Sequence, residues 1–218
     1  FISIAERVAV TAEGFRLKVD PKFVKDVMTG VSPTLDRRFH LPDNWRTTRY
    51  SFGDFKQIYR VLTALASIQY RGRIVAAGRD APALGFASAV LRFSSGELHA
   101  RVHRYSGLDE TTVAAVLEDL TYGARGVSRP DPIIQPLIPV NGDVLIAPSL
   151  ILCSSPERNH CVLLNAIPQE RDVYSRLVDQ KEALMRDEII DVCGGKPYRH
   201  FFGNVVGRKE LPNIDLAL

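Results

Sequence analysis

A chain of 218 residues with 45% hydrophobic and 24% charged residues has an ordinary globular composition, with apolar mass for one large domain or two small ones. Mixed charges and apolar residues throughout argue against a disordered chain, and no apolar run approaches the roughly 18–20 residues of a membrane span. The net charge of +3 conceals a split: residues 1–105 hold 17 Lys/Arg against 9 Asp/Glu, and residues 106–218 hold 11 against 16. Arginines outnumber lysines 21 to 7, and a basic, Arg-rich half can serve as a nucleic-acid footprint or simply as a solvated surface. Three cysteines (Cys153, Cys161, Cys193) cannot all pair and read as reduced thiols of a cytoplasmic protein.

In chain order, Arg7-Val8-Ala9-Val10 and Phe15-Arg16-Leu17-Lys18-Val19 alternate like strands. Asp20-Pro21 then predicts a helix start, with Asp20 as N-cap and the helix running to about Met28. Residues 29–50, with Gly30, Pro33 and Pro42, read as an extended connection. Phe55, Ile58, Tyr59, Leu62, Leu65, Ala66 and Ile68 recur at helical spacing and predict a helix over 51–68. Residues 87–105 alternate around Ser94-Ser95-Gly96 and suggest a hairpin.

The next helix spans 108–120, capped by Asp109, with Val113, Val116, Leu117 and Leu120 as its apolar stripe. After a proline-rich link, Leu137-Ile138-Pro139-Val140 faces Val144-Leu145-Ile146 across Asn141-Gly142, the strongest short hairpin signal in the chain. A helix followed by a hairpin resembles the helix-plus-wing of a winged helix, although a generic α+β layer is the preferred explanation. An apolar strand over 146–154 precedes a helix opened by Ser155-Pro156 and running to Ile167. Glu170 to Val192 is the longest helix, ended by Gly194-Gly195; residues 199–206 and 212–218 read as strands.

Familiar catalytic signatures are missing from the sequence: there is no GxxxxGK[ST] loop, GxGxxG turn, GxSxG elbow or HExxH helix. Cys153, His160, Cys161, Cys193 and His200 fit no compact zinc knuckle, and Cys153 and Cys161 read as small hydrophobes packed in the core. His99 and His103 share a face of the expected strand, where solvation or hydrogen bonding outweighs a metal pair. The acidic residues of the last third are more informative. Glu182 falls on the apolar stripe of Val178, Met185, Ile189 and Val192, where a carboxylate needs a cation partner or a place at the stripe's edge; Glu188 lies on the neighbouring stripe. Asp215 interrupts an apolar strand just after the turn Leu211-Pro212-Asn213.

A helix bearing Glu, a turn, and a strand of the form Pro-x-x-Asp-hydrophobic-x-hydrophobic resembles the opening of the restriction-endonuclease-like nuclease core, the PD-(D/E)XK superfamily. Ala147-Pro148-Ser149-Leu150, Glu157-Arg158-Asn159 and Lys181-Glu182 are also similar to bacterial proteins that carry such a domain behind an α+β N-terminal region. The resemblance implies that Asp215 and Glu182, with Glu188 as the lesser choice, are catalytic carboxylates holding Mg²⁺ or Mn²⁺. It further implies a Glu-x-Lys strand, which does not occur between Asp215 and Leu218; two carboxylates alone are too few to fix the metal and polarise a phosphodiester.

The expected fold is α+β, with a mixed, basic region over 1–130 followed by the start of an α/β nuclease-like core over 131–218. The expected function is that of a fragment of a metal-dependent nuclease-like protein acting on DNA or RNA, itself catalytically silent. Arg37, Arg38, Arg46 and Arg49 are the expected phosphate contacts, no membrane is involved, and the C-terminal strand invites self-association through an open edge. The alternative is a non-catalytic module that binds nucleic acid or protein.

Overall fold

The computed structural model describes residues 7–11, 14–18, 21–30, 41–77 and 89–192. The chain divides into two compact units, Phe1–Ser175 and Arg176–Leu218. The first unit opens with an antiparallel pair, β1 (Arg7–Thr11) and β2 (Gly14–Lys18), in which Val8 faces Leu17 and Val10 faces Phe15. Helix α1 (Pro21–Gly30) begins on a proline, whose missing N–H costs nothing in the first turn. Its Val24 packs with Ala64 and Ile68 of the next helix.

That next helix, α2 (Phe52–Ala77), carries the core. Phe55, Ile58, Tyr59, Leu62, Leu65 and Ala66 are all buried, as the periodicity predicts. Its start is fixed by a reciprocal cap: the Ser51 N–H donates to Asp54 Oδ2 at 2.9 Å, and the Asp54 N–H donates to Ser51 Oγ at 3.1 Å. The helix runs nine residues beyond the predicted end at Ile68, because no glycine cap or proline follows it there.

Strand β3 (Leu91–Ser94) then leads straight into α3 (Ser95–Ser106), which replaces the second strand of the expected hairpin. The reason is another cap. Ser94 Oγ accepts from the Glu97 N–H at 3.2 Å, and Glu97 pairs with Arg101 one turn on at 2.7 Å. Leu98 and Val102, read as alternating strand residues, are the buried i, i+4 pair of that helix. Gly107 closes it in the left-handed region (φ 70), its N–H bonded to the His103 carbonyl. Only Leu108 and Asp109 separate this glycine from α4 (Glu110–Asp119), where Asp109 Oδ1 accepts from the Thr112 N–H at 2.9 Å.

The hairpin β4 (Ile138–Val140) and β5 (Asp143–Ile146) forms as expected, with Asn141 and Gly142 both at positive φ, the requirement of a type I′ turn. Strand β5 lies in the middle of an antiparallel sheet, between β3 and β4. The order α2–β3–α3–turn–α4–β4–β5 therefore has the connectivity of a helix-turn-helix followed by a wing. The strand expected over 146–154 stops at Ile146, and Pro148 instead opens α5 (Pro148–Leu152), leaving Cys153 exposed just after it. Helix α6 (Pro156–Ala166) starts at its predicted Ser155 cap, and a 3₁₀ turn (Pro168–Glu170) leads into α7 (Arg171–Val192).

The second unit is described over residues 176–192 of α7, where Leu177 is buried and Asp179, Gln180 and Glu182 are exposed. Seven α-helices and two small antiparallel sheets among the described residues make an α+β fold. No helix among them is long and apolar enough to cross a membrane.

The tight α3–α4 turn rests on Gly107. A Cβ there meets no atom within 4 Å, so the cost of adding one is conformational alone. Gly107→Ala is expected to lower stability by about 1–2 kcal/mol, the left-handed penalty of an L-residue, in urea unfolding followed by circular dichroism. An unchanged midpoint would show that the turn accommodates an ordinary backbone.

Candidate functional site

The strongest concentration of polar chemistry is buried in the first unit, and the side chain at its centre is Asp119. This residue lies at the C-terminal end of α4, three residues after Val116, and is 1% exposed. Its Oδ2 accepts from the Tyr50 hydroxyl at 2.7 Å; its Oδ1 faces Arg49 Nη1 at 2.9 Å and Arg125 Nε at 3.0 Å. Arg49 also reaches Glu118 at 2.5 Å, and Arg125 reaches the fully buried Glu170 at 3.5 Å. Glu170 accepts from the Thr48 hydroxyl and, at 3.5 Å, from the Thr48 N–H.

Arg125 holds a left-handed backbone (φ 60) beside Gly126 (φ 70), a costly conformation for a side chain of its size that its two carboxylate partners help to hold. Burial pushes the Asp119 pKa above the ordinary carboxylate value, while the Tyr50 hydroxyl and the two guanidiniums pull it back. Burial, reinforced by the Asp119 charge, pushes the Tyr50 phenol well up. With both Asp119 oxygens engaged, the cluster has little capacity left for a ligand. Its chemistry is that of a clamp joining the loop before α2, the end of α4, the loop after it, and the turn before α7.

Next to the clamp, His160 of α6 is fully buried in a box of rings. The Phe55, Phe52, Trp45 and Tyr50 ring centroids lie 4.6, 5.2, 5.7 and 6.0 Å from the imidazole. Neither ring nitrogen has a hydrogen-bond partner, and burial drives the pKa down from 6.5 to about 3, so the imidazole is neutral at physiological pH. It is a core residue rather than a zinc ligand. Asn159 beside it donates to Tyr59 Oη at 3.1 Å and to the Ile133 carbonyl at 2.9 Å.

The sequence-derived site residues fall in several places. Glu182 is exposed on α7; among the described residues the buried positions of that helix are Val173 and Leu177, and the side chains of Met185, Ile189 and Val192 of the expected stripe lie outside them. Glu188 lies on the same helix, and its side chain, like Asp215, Arg37, Arg38, Cys193, His200 and the strands expected over 199–206 and 212–218, lies outside the described residues. Arg46 is exposed, whereas Arg49 is held by Glu118 and Asp119 and is not free to meet a phosphate. His99 and His103 sit one helical turn apart on α3, and no group of three metal-ligating side chains occurs among the described residues. Sequence reasoning missed Asp119, Glu170, Arg125 and Tyr50. The one local signal was a carboxylate three residues after Val116 and next to Leu120, within reach of the buried stripe.

In a helix-turn-helix the second helix enters the DNA major groove. Here that helix is α4, and its exposed positions are Glu110, Thr111, Ala114 and Glu118. None is basic, so these positions offer a phosphate no cation, and Glu118 is itself paired with Arg49.

Removing the Asp119 carboxylate takes one of two carboxylate partners from each of two half-buried guanidiniums and the acceptor from the buried Tyr50 hydroxyl. Asp119→Ala is expected to cost about 3–5 kcal/mol in urea unfolding, the usual range for breaking a buried ion pair on one side. A loss below 1 kcal/mol would show the clamp to be dispensable. His160 gives a pH signature with a defined sign. Its folded pKa, about 3, lies below the unfolded value of 6.5, so the unfolded chain binds the extra proton between these limits. Stability contributed by this group is complete above pH 6.5 and is lost as the pH falls, by about 1.4 kcal/mol per unit. His160→Phe is expected to flatten the stability curve between pH 6 and 4 by one proton's slope; an equally steep curve would place that proton elsewhere.

Compared with protein-family models, curated proteins and solved structures, the chain matches none.

Proposed function

We propose that this chain belongs to a metal-dependent nuclease-like protein, with Arg176–Leu218 as the opening of its catalytic core and Phe1–Ser175 as an accessory α+β module. What supports this is the order of the candidate carboxylates in the sequence, Glu182 and Glu188 on a helix and Asp215 after the turn Leu211-Pro212-Asn213, together with the exposure of Glu182 on α7. Glu182 is exposed and makes no ion pair among the described residues, so its oxygens are open to a hard cation. Carboxylates are the donors that Mg²⁺ and Mn²⁺ prefer, and Glu182 and Asp215 are the residues that would hold the ion. Once bound, such an ion supplies Lewis-acid stabilisation of a phosphodiester's developing charge. The chain's own part is to present two anionic donors; further ligands and a lysine complete the chemistry in the family it resembles.

A second reading, a binding module without catalysis, is favoured by the helix-turn-helix and wing connectivity of α3, α4, β4 and β5. Metal binding separates the two. The 218-residue chain is expected to bind Mn²⁺ in isothermal titration calorimetry, with at least tenfold weaker affinity in both Glu182→Gln and Asp215→Asn. Binding that Asp215→Asn leaves unchanged removes the nuclease reading's metal half and leaves the binding module.

A further inference from the structure

We infer that the C-terminal part of α2 is a contact surface for unpaired nucleic-acid strand, with Tyr70 as a stacking platform between two arginines. At about 100° per residue, Arg73, Tyr70, Ile74 and Arg71 occupy, in that order, an arc of roughly 160° around the helix. Gly72 falls opposite the middle of the arc and is buried, as is Ile68 near it, while all four residues of the arc are exposed. Tyr70 is 56% and Ile74 57% exposed, the two most exposed large apolar side chains among the described residues. The helix thus turns one side to the protein and offers the other, an aromatic and an aliphatic group flanked by guanidiniums, to solvent.

Neighbouring elements add charge of the same sign. Ile68, one turn before this arc, shares a cluster with Val24 and Met28 of α1 and Tyr105 of α3. Those helices carry Lys25 and Arg104, both exposed, next in sequence to Val24 and Tyr105; the Arg104 guanidinium lies 5.9 Å from the Tyr105 ring centroid. Among the described residues Lys25, Arg71, Arg73 and Arg104 make no ion pair, and the one acid on α1, Asp26, already has an interaction partner. Two unpaired arginines flanking an exposed ring form the combination that binds single strands: charge tracks the phosphates, and every base offers a face to stack on. A duplex hides those faces. The acidic solvent side of α4 is unsuited to the task, and Arg49 is already committed to Asp119.

This inference rests on the nucleic-acid half of the proposed function and not on its metal half, so it is tested in EDTA. Fluorescence anisotropy with labelled 20-nucleotide single-stranded DNA and RNA, the matching duplexes, and phosphatidylserine vesicles as competitor uses the full 218-residue chain. Single strand is expected to bind more tightly than duplex, with affinity falling steeply as salt rises. Tyr70→Ala is expected to weaken binding at least fivefold, with Tyr70→Phe restoring it. Arg71→Ala with Arg73→Ala is expected to reduce the salt slope by about 0.7 per arginine. Arg158→Ala, an exposed arginine of α6, is the control expected to leave affinity unchanged. All these sites are exposed, so matching melting midpoints check that the variants fold. Wild-type affinity in Tyr70→Ala, preference for duplex, displacement by vesicles, or no binding at low salt would each overturn the inference. The Mn²⁺ titration reports separately on the carboxylates.

Discussion

A carboxylate removed from water costs several kcal/mol unless donors replace its hydration, and Asp119 meets that demand with three side chains drawn from two loops. Much of the first unit is organised by this requirement. Arg49 and Tyr50 stand at the entrance of α2, and Arg125, on a left-handed backbone, reaches both Asp119 and Glu170. Tyr50 then stacks near Phe55, with ring centroids 6.3 Å apart, and closes one side of the box around His160. The Asp119 carbonyl is engaged as well, by the buried Gln135, whose own carbonyl takes the Gly123 N–H. A polar core of this kind tolerates little change in register, because each donor it lost would leave a charge stranded in a low-dielectric interior.

The clamp also decides which arginines are free. A sequence reader sees Arg37, Arg38, Arg46 and Arg49 as equivalent members of one basic loop. The fold assigns Arg49 to Glu118 and Asp119, about 70 positions away, and leaves Arg46 exposed. Nothing local to Arg49 records that pairing. The same holds for Arg71 and Arg73, which look like ordinary helix charges until the burial of Gly72 shows which way that helix is turned.

What the sequence did reveal was local. Asp109 and Ser155 are caps wherever the chain goes next, because their side chains satisfy N–H groups two or three residues ahead. Asn141-Gly142 forms a hairpin because few other pairs accept its backbone angles. The α2 stripe was long enough to outweigh ambiguity. Errors arose where the apolar pattern was short. Leu98 and Val102 fit either period, and the Ser94-Glu97 cap that settles the matter as helix was read as a turn between strands. The run after Ile146 looked like a continuing strand, yet Pro148 has no N–H to give a ladder and suits a first helical turn. The buried clamp was illegible because its members meet only after four separate segments have folded.

These features bear on how the proposed activity divides its electrostatic work. On the proposed reading, two carboxylates that would hold Mg²⁺ carry the same sign as a nucleic-acid backbone and cannot by themselves attract a strand. Attraction has to come from positive charge not already neutralised by neighbours. In the first unit most exposed guanidinium groups on the sheet and on α3 are spent: Arg92 on Asp143, Arg101 on Glu97. The solvent side of α4 is negative. At the end of α2, Arg71 and Arg73 make no ion pair among the described residues and flank the exposed Tyr70 ring, so on the proposed reading part of the basic excess of residues 1–105 would attract a strand there.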